Sequence, residues 1–544
     1  MAGPTWDATF RSALADRKLQ GLRVSVVLGP TYTPSLGGPA PTADIAFRNF
    51  GEDTATGFNC LGNTCKVAGG SLDPVRWTTT AEQLTVQVVN EQAIRAALDA
   101  GVHRGTVVEV RVTLPGDNPA TEFYRVWIGR LQNIQTAGQF GGRTVYTLTA
   151  YGAQSLMQTR RLQAGTLSGT AAALLGESKL FSDVGVQTYI TPLAYTVGDA
   201  NLAVNSTTGF KRESTGALLL DDGTNTFYLT YTGIAANTFT GVSATGKFGT
   251  TAANMAAGGT STVTHVAYLT GHPLDILRRV LQSTGAGTNG TWDDYPGAWG
   301  LGIPDELCDD TDIADWKTNV VDSSVVYHIL VHTAQENAWT WLSSWISRAG
   351  IAVVLYEGRI SVRCAQDIAD ATPIRGDWNP VDGAIESAAW SLAESRSGYE
   401  YVVVTTSTAA TPFFDPLAST YGSLLYTVPG GGWLEVDLRD VSYRETGYGD
   451  IEADVEARRW HWTCGIPERV EVTAAHRGPA VLCPGDIVQI TSAALFGVPE
   501  SASATDTYDT VDALVVDGPA VDWLAAQPVR LALDRYRDET PPAE

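Results

Sequence analysis

A chain of 544 residues is long enough for three or four domains with their own cores. Only 17% of the side chains are charged, and 59 acidic against 36 basic residues leave a net charge of −23. That balance argues against a nucleic-acid partner and against an anionic membrane surface, because like charges repel. No apolar run approaches the roughly 20 residues that span a bilayer. The first residues, MAGPTWDATFRSALADRK, lack a charged leader followed by an apolar core. The expectation is a soluble protein made in the cytoplasm, without a signal peptide.

Residues 5–16 predict a short amphipathic helix with Trp6, Phe10, Ala13 and Leu14 on one face. Strands follow in LRVSVVLG, ADIAFRNF and RWTTTAEQLTVQVV, and then a helix, EQAIRAALDAG, burying Ile94, Ala97 and Leu98 and ending at Gly101. TVVEVRVTL, EFYRVWIGRLQNIQTA and RTVYTLTAYG return to alternation. Together they read as an antiparallel barrel or sandwich over roughly 20–155. Residues 192–265, rich in Gly, Thr and Ala, read as a separate all-β insert. Its Asp221-Asp222-Gly223 stretch is a hairpin turn; a calcium loop is the alternative, but its positional ligands are missing.

Pro273 suits the first turn of a helix that buries Leu274, Leu277 and Leu281, flanked by Ile276 and Val280, with Gly285 and Gly287 ending it. A long aromatic loop over 287–316 comes next; such loops are usually functional or ordered by a partner. In it, Cys308, Asp309, Asp310 and Asp312 read either as a metal site or as an acidic helix N-terminus. The stretch 333–364 predicts the best-specified unit in the chain. Thr333 and Glu336 have capping-box spacing. Ala338, Trp341, Leu342, Trp345, Ile346 and Ala349 form one helical face, and Gly350 stops it. A hairpin then runs from Ile351, Val353 and Leu355 through a Glu357-Gly358 turn to Ile360, Val362 and Cys364. Further strands are expected in GYEYVVVTTS, SLLYTV, GWLEVDLRDVSYR, RVEVTAAHR, VLCPGDIVQITS, ALVVDGPAVDWLA and PVRLALDRYRD. A helix near 450–460 and a disordered tail complete the pattern, and Pro484-Gly485-Asp486 reads as a register-setting turn.

Six cysteines are too few and too dispersed for a disulfide scaffold. Cys60 and Cys65 form a small disulfide loop, offer two metal ligands, or are free thiols. His328 and His332 lie four apart in the strand-like VVYHILVH and read as a core pair rather than a metal pair. None of the seven histidines has a zinc-site spacing, and there is no nucleophile elbow, P-loop or dinucleotide fingerprint. Paired glycosidase carboxylates leave no sequence signature. The expectation is therefore no catalytic, cofactor-binding or metal residue.

Several phrases resemble the baseplate hub and tail-tip proteins of long-tailed, siphovirus-like bacteriophages. GHPLDILRRVLQSTGAGTNGTWDDYPGAWGLGIP is one, and YTGIAANTFTGVSATGKFGTTAANMAAGGTSTV is similar to a small β-module of phage virion proteins. The 333–364 unit and LCPGDIVQI resemble the later hub domains. The resemblance covers about 270–370 and 465–535, and the N-terminal part by architecture only. It implies a mainly β, multi-domain fold with a few short helices and barrel or sandwich domains of tail-hub type. The expected divisions are an N-terminal barrel at 1–160, a linker at 161–190, the insert at 191–266, the helix-and-hairpin unit at 267–375, and a second barrel with C-terminal strands at 376–540. The implied function is structural: a homotrimer at the tail tip of the virion, docked on the hexameric distal ring or tube. It closes the channel and anchors receptor-binding or wall-penetrating parts. Its partners would be the distal tail protein, the tube or tape-measure protein, and a tail fibre. Some relatives bind an iron–sulfur cluster through four cysteines; Cys308, Cys364, Cys464 and Cys483 are the candidates here, although their spacing matches no cluster run. The alternatives are a glycan- or receptor-binding tail component using the Trp/Tyr-rich loop at 290–316, a distal ring protein, and a wall hydrolase favoured only by acidic richness.

Overall fold

The protein is a computed structural model. It describes residues 6–535 apart from 17–18, 31–41, 75–76, 141, 159–179, 182–183, 211–215, 249, 284–299, 320–326, 336, 348, 365–373, 379–384, 393–398, 407–418, 425–431, 438–467, 491–510 and 526–527. The chain is mainly β, with six short α-helices among the described residues. The expected helix near 450–460, the stop at Gly285 and Gly287, and the tail lie outside the described residues.

One large sheet holds both ends of the chain. Its strands run in the spatial order 385–392, 468–474, 529–535, 511–522, 61–68, 83–88, 143–151, 124–140, 107–113, 23–28, 45–48 and 57–59, with 487–490 pairing 511–522 to the side. The regions expected to form separate first and last barrels therefore share a continuous ladder. The seam is antiparallel, with Ala520 opposite Ala68, Val521 opposite Val67 and Asp522 opposite Lys66. Glycine makes it possible: a Cβ on Gly69 would fall 2.5 Å from the carbonyl carbon of Gly518. The Asp522 carboxylate then accepts the Cys65 amide at 3.1 Å, and the Trp523 amide donates to the Cys65 carbonyl. The strand Leu61–Ala68 was absent from the sequence reading. Its FNCLGNTCKVA run does not alternate, and the ladder shifts register between Leu61 and Cys65.

The first helix, Ala8–Ala15, is capped by Asp7, which accepts the Phe10 amide; Phe10 and Leu14 are buried and Phe10 stacks on Tyr124 at 4.1 Å. The helix Glu91–Asp99 is capped by Asn90 and buries Ala93, Ile94 and Ala97. Leu98, expected inside, is 53% exposed. It lies about 90° round the helix from the centre of that buried face.

The insert has its own core of Ile190, Leu202, Phe227, Phe239 and neighbours. Strands 187–189, 262–271, 216–221 and 226–231 form one sheet and 201–203, 238–240 and 233–235 another. The strand Thr262–Gly271 is shared. Its first half pairs with the insert, and its second half pairs with Tyr327–Val331, Ala267 opposite Val331. The Asp221-Asp222-Gly223 segment is a hairpin turn whose carboxylates accept the amides of Gly223, Thr224 and Asn225.

The helix Pro273–Gln282 starts with Pro273 in its first turn, and buries Leu274, Ile276, Leu277, Val280 and Leu281. The expected loop over 287–316 is corrected in its last part, where Asp305–Leu307 is a short 3-10 turn and Asp310–Asn319 a helix. Another correction concerns the 338–346 helix. Gln335 pairs with Leu180 through two backbone hydrogen bonds, so the chain is still extended where a Thr333 cap would need helix. Asn337 caps instead, accepting the Thr340 amide. Gly350, at φ +65°, ends the segment as expected, and the hairpin Ile351–Tyr356 with Arg359–Cys364 follows. Glu357 and Gly358 both have positive φ, as a tight two-residue turn requires.

Candidate functional site

The most concentrated chemistry in the described residues is a buried ionic junction centred on Arg363. Alternation along Arg359–Cys364 in a hairpin covered on both faces places Arg363 in the interior, fully buried. Its Nε donates to Asp486 Oδ1 at 2.5 Å and its Nη1 to Asp312 Oδ2 at 2.7 Å. Ser361 donates to the same Asp312 oxygen at 2.6 Å. Asp486 Oδ2 accepts the Cys483 amide at 2.8 Å and the Cys483 thiol at 3.4 Å. The guanidinium lies 4.6 Å from the Tyr356 ring centroid and 5.4 Å from that of Trp316. Trp77 Nε1 donates to the Arg363 carbonyl. Gly485, at φ +93°, leaves room for the arginine: a Cβ there would lie 2.6 Å from Arg363 Cβ.

Electrostatics lock these states. Burial alone would lower the arginine pKa, but the Asp486 and Asp312 carboxylates outweigh it and hold the guanidinium charged. Burial pushes the Cys483 thiol far up, more than Arg363 pulls it down, so it remains a protonated donor. Charges removed from water in this way need partners; Asp486 and Asp312 supply them to Nε and Nη1, while Nη2 is buried without a hydrogen-bond partner. The junction thus joins the Trp77 segment, the Asp310–Asn319 helix, the hairpin and the 483–487 turn.

A second cluster fastens the hairpin tip. Arg125 Nε is 3.3 Å from the buried Glu109 carboxylate, and its Nη1 donates to the Glu306 carbonyl at 2.9 Å. Trp6 Nε1 donates to the Arg125 carbonyl at 2.8 Å, and a Cβ on Gly358 would lie 2.5 Å from that oxygen. Arg11 pairs with Glu357. Burial raises the Glu357 pKa, with Arg11 opposing.

The residues singled out from sequence fall into place around these clusters. Asp309 caps its helix by accepting the Asp312 amide and pairs with Arg359 at 2.8 Å, and Asp310 pairs with Arg278 at 3.0 Å. The acidic run is therefore a helix N-terminus whose carboxylates diverge to three different arginines. Among the described residues no three His, Cys, Asp or Glu side chains are grouped so as to hold a metal ion. Cys60 and Cys65 are buried free thiols, and burial raises Cys60 to about 12. Of the four cysteines named for a cluster, Cys308, Cys364 and Cys483 are buried, and Cys464 lies outside the described residues. His328 lies in the strand Tyr327–Val331. Among the described residues no helix is long and apolar enough to cross a membrane. Asp486 was read only as part of a turn, and its role as partner to Arg363 was missed.

His332 is partly exposed, with Nε2 3.3 Å from the Tyr228 hydroxyl, so it links the insert to the following unit. Burial lowers its pKa. The unfolded chain protonates this imidazole near 6.5, whereas the folded chain resists until a lower pH. Its contribution is therefore present above about 6.5 and lost as pH falls through the folded value. Thermal stability of the parent chain is expected to fall more between pH 7 and pH 5 than that of His332→Gln; equal falls in the two proteins would remove the link.

No family model matches the chain, and no curated protein matches it. Solved structures do. The 43 kDa tail protein of prophage MuSo2 from Shewanella oneidensis is 8% identical, with TM-score 0.34 over 95% of this chain and 98% of that one. An Escherichia coli component of the type VI secretion system, described as structurally similar to bacteriophage T4 tail proteins, is 8% identical, with TM-score 0.30 over 88% and 76%. The Francisella PdpA-VgrG complex gives 8%, 0.33, and 99% and 62%. Values of this size transfer no residue role and no assembly contact. Solved structures similar to this chain thus include a prophage tail protein and a type VI secretion component.

Proposed function

We propose that this chain is a structural, non-enzymatic virion component: the trimeric hub at the tip of a siphovirus-like tail. The observation that carries the reading is how the interior charges are used. Asp312 and Asp486 bind Arg363, Glu109 binds Arg125, and Asp309 binds Arg359. A glycoside hydrolase of the usual kind sets two carboxylates on either side of an open cleft, whereas these carboxylates bind distant segments into one body. Rigid joining is what a load-carrying scaffold needs.

In this reading the barrel-like parts of three chains imitate sixfold symmetry and dock on the hexameric distal ring or tube. The assembly closes the channel and anchors receptor-binding or wall-penetrating parts. Its acidic character suits DNA passage, because repulsion prevents sticking. The receptor-binding alternative loses one support, since Trp316 of its aromatic loop is buried in the core. Light scattering of the purified chain is the test. A mass near three times 57.9 kDa is expected. Six copies would point to the distal ring instead, and a monomer at all concentrations would overturn the hub.

A further inference from the structure

We infer that the groove beside the 124–151 hairpin is a docking site for an extended, acidic segment of another protein, taken up as an added strand. The inference stands apart from the trimeric hub reading. Strands 124–140 and 143–151 outrun both of their neighbours in the large sheet. On one side, pairing with 83–88 ends where Tyr146 faces Val88; on the other, pairing with 107–113 ends where Arg130 faces Val107. Beyond these points the hairpin is a two-stranded arm, exposed at residues 133, 135–139, 142 and 143. Its register slips between Val145 and Tyr146, which leaves Ala137 unmatched, and a bulge of this kind bends a strand. Beside the bend lies a groove of about 600 Å³, with Ala137, Gln139 and Arg143 on one wall and Leu61, Asn63 and Gln87 on the other. That volume suits a short segment of chain.

Backbone and charge together select the occupant. Residues 143–145 pair with one strand only, and no described strand takes the place that 83–88 leaves vacant beside them. An edge of this kind offers its amides and carbonyls to another extended chain. No aromatic ring lines the groove for a sugar to stack on. From residue 123 to residue 158 the chain has no acidic side chain, although it has 59 in all. Arg143 is exposed and is the only charged side chain lining the groove. The carboxylates next along the chain from the far wall are engaged elsewhere: Asp53 accepts the Asn59 amide, and Glu91 pairs with Arg95 at 3.0 Å. A carboxylate on the incoming strand therefore meets a cation, and a lysine does not.

The experiment uses the full chain and a labelled, end-blocked hexapeptide of alternating valine and aspartate. At physiological salt, where charges beyond about 8 Å are screened, fluorescence anisotropy is expected to give a dissociation constant below about 1 mM. Binding is expected to slow amide hydrogen exchange at residues 143–145 by about tenfold or more. Arg143→Glu is expected to weaken binding about tenfold. Ala137→Trp, which fills the groove from an exposed position, is expected to abolish binding without lowering the melting temperature. Absence of binding, binding without slowed exchange at 143–145, or parental affinity in both variants overturns the added strand. A peptide that binds by breaking up an oligomer of the parent shows that a second copy fills the groove, and overturns the separate partner. A monomeric mass that still binds the peptide overturns the hub alone.

Discussion

Arg363→Met is expected to destabilise the protein by about 3–5 kcal/mol, because it leaves buried carboxylates without their cation. Methionine keeps much of the length beneath Tyr356 and Trp316, so lost packing is a minor part of the effect. Asp486 has no exposure and Asp312 almost none, and neither can reach water without opening the core. Arg363→Lys is expected to recover only part, since one ammonium cannot serve both carboxylates with the fixed fork of a guanidinium. Scanning calorimetry reads the result. A methionine variant that melts like the parent would show that the junction contributes little.

Trp345→Ala is the second large effect, also about 3–5 kcal/mol. Trp345 is buried in the principal core of the 267–364 region, beside Leu342 and Ile346. Its neighbour Trp341, 6.0 Å away between ring centroids, is only partly buried. Trp341→Ala is expected to cost less than half as much. Urea midpoints of the two variants give the comparison; equal losses would mean that the outer tryptophan is also covered.

These two sites mark what the sequence makes legible. Trp345 was visible because its face repeats every three or four residues, and the hairpin after it because alternation and a Glu-Gly turn are local signals. The start of that helix was misread, since a bridge to Leu180, over 150 residues away, overrode a good capping-box spacing. Arg363 was passed over in an otherwise well-read strand: its partners lie 51 and 123 residues away, and no spacing rule reaches that far. Asp486 looked like an ordinary turn residue for the same reason. Leu61–Ala68 escaped because its register shift and its Gly-Asn pair break the alternation by which strands are recognised.

The shared sheet also sets a timetable for synthesis. The strand at 61–68 finds its second neighbour only when residues 511–522 emerge, roughly 450 residues later. At about 5–20 residues per second, that edge waits on the order of half a minute or more behind the ribosome. During that interval a nascent chain carries an unpaired ladder, open to the same strand of an adjacent nascent chain on a polysome. Yield is therefore expected to depend on translation speed and on what shields that edge, as well as on the stability of the finished protein.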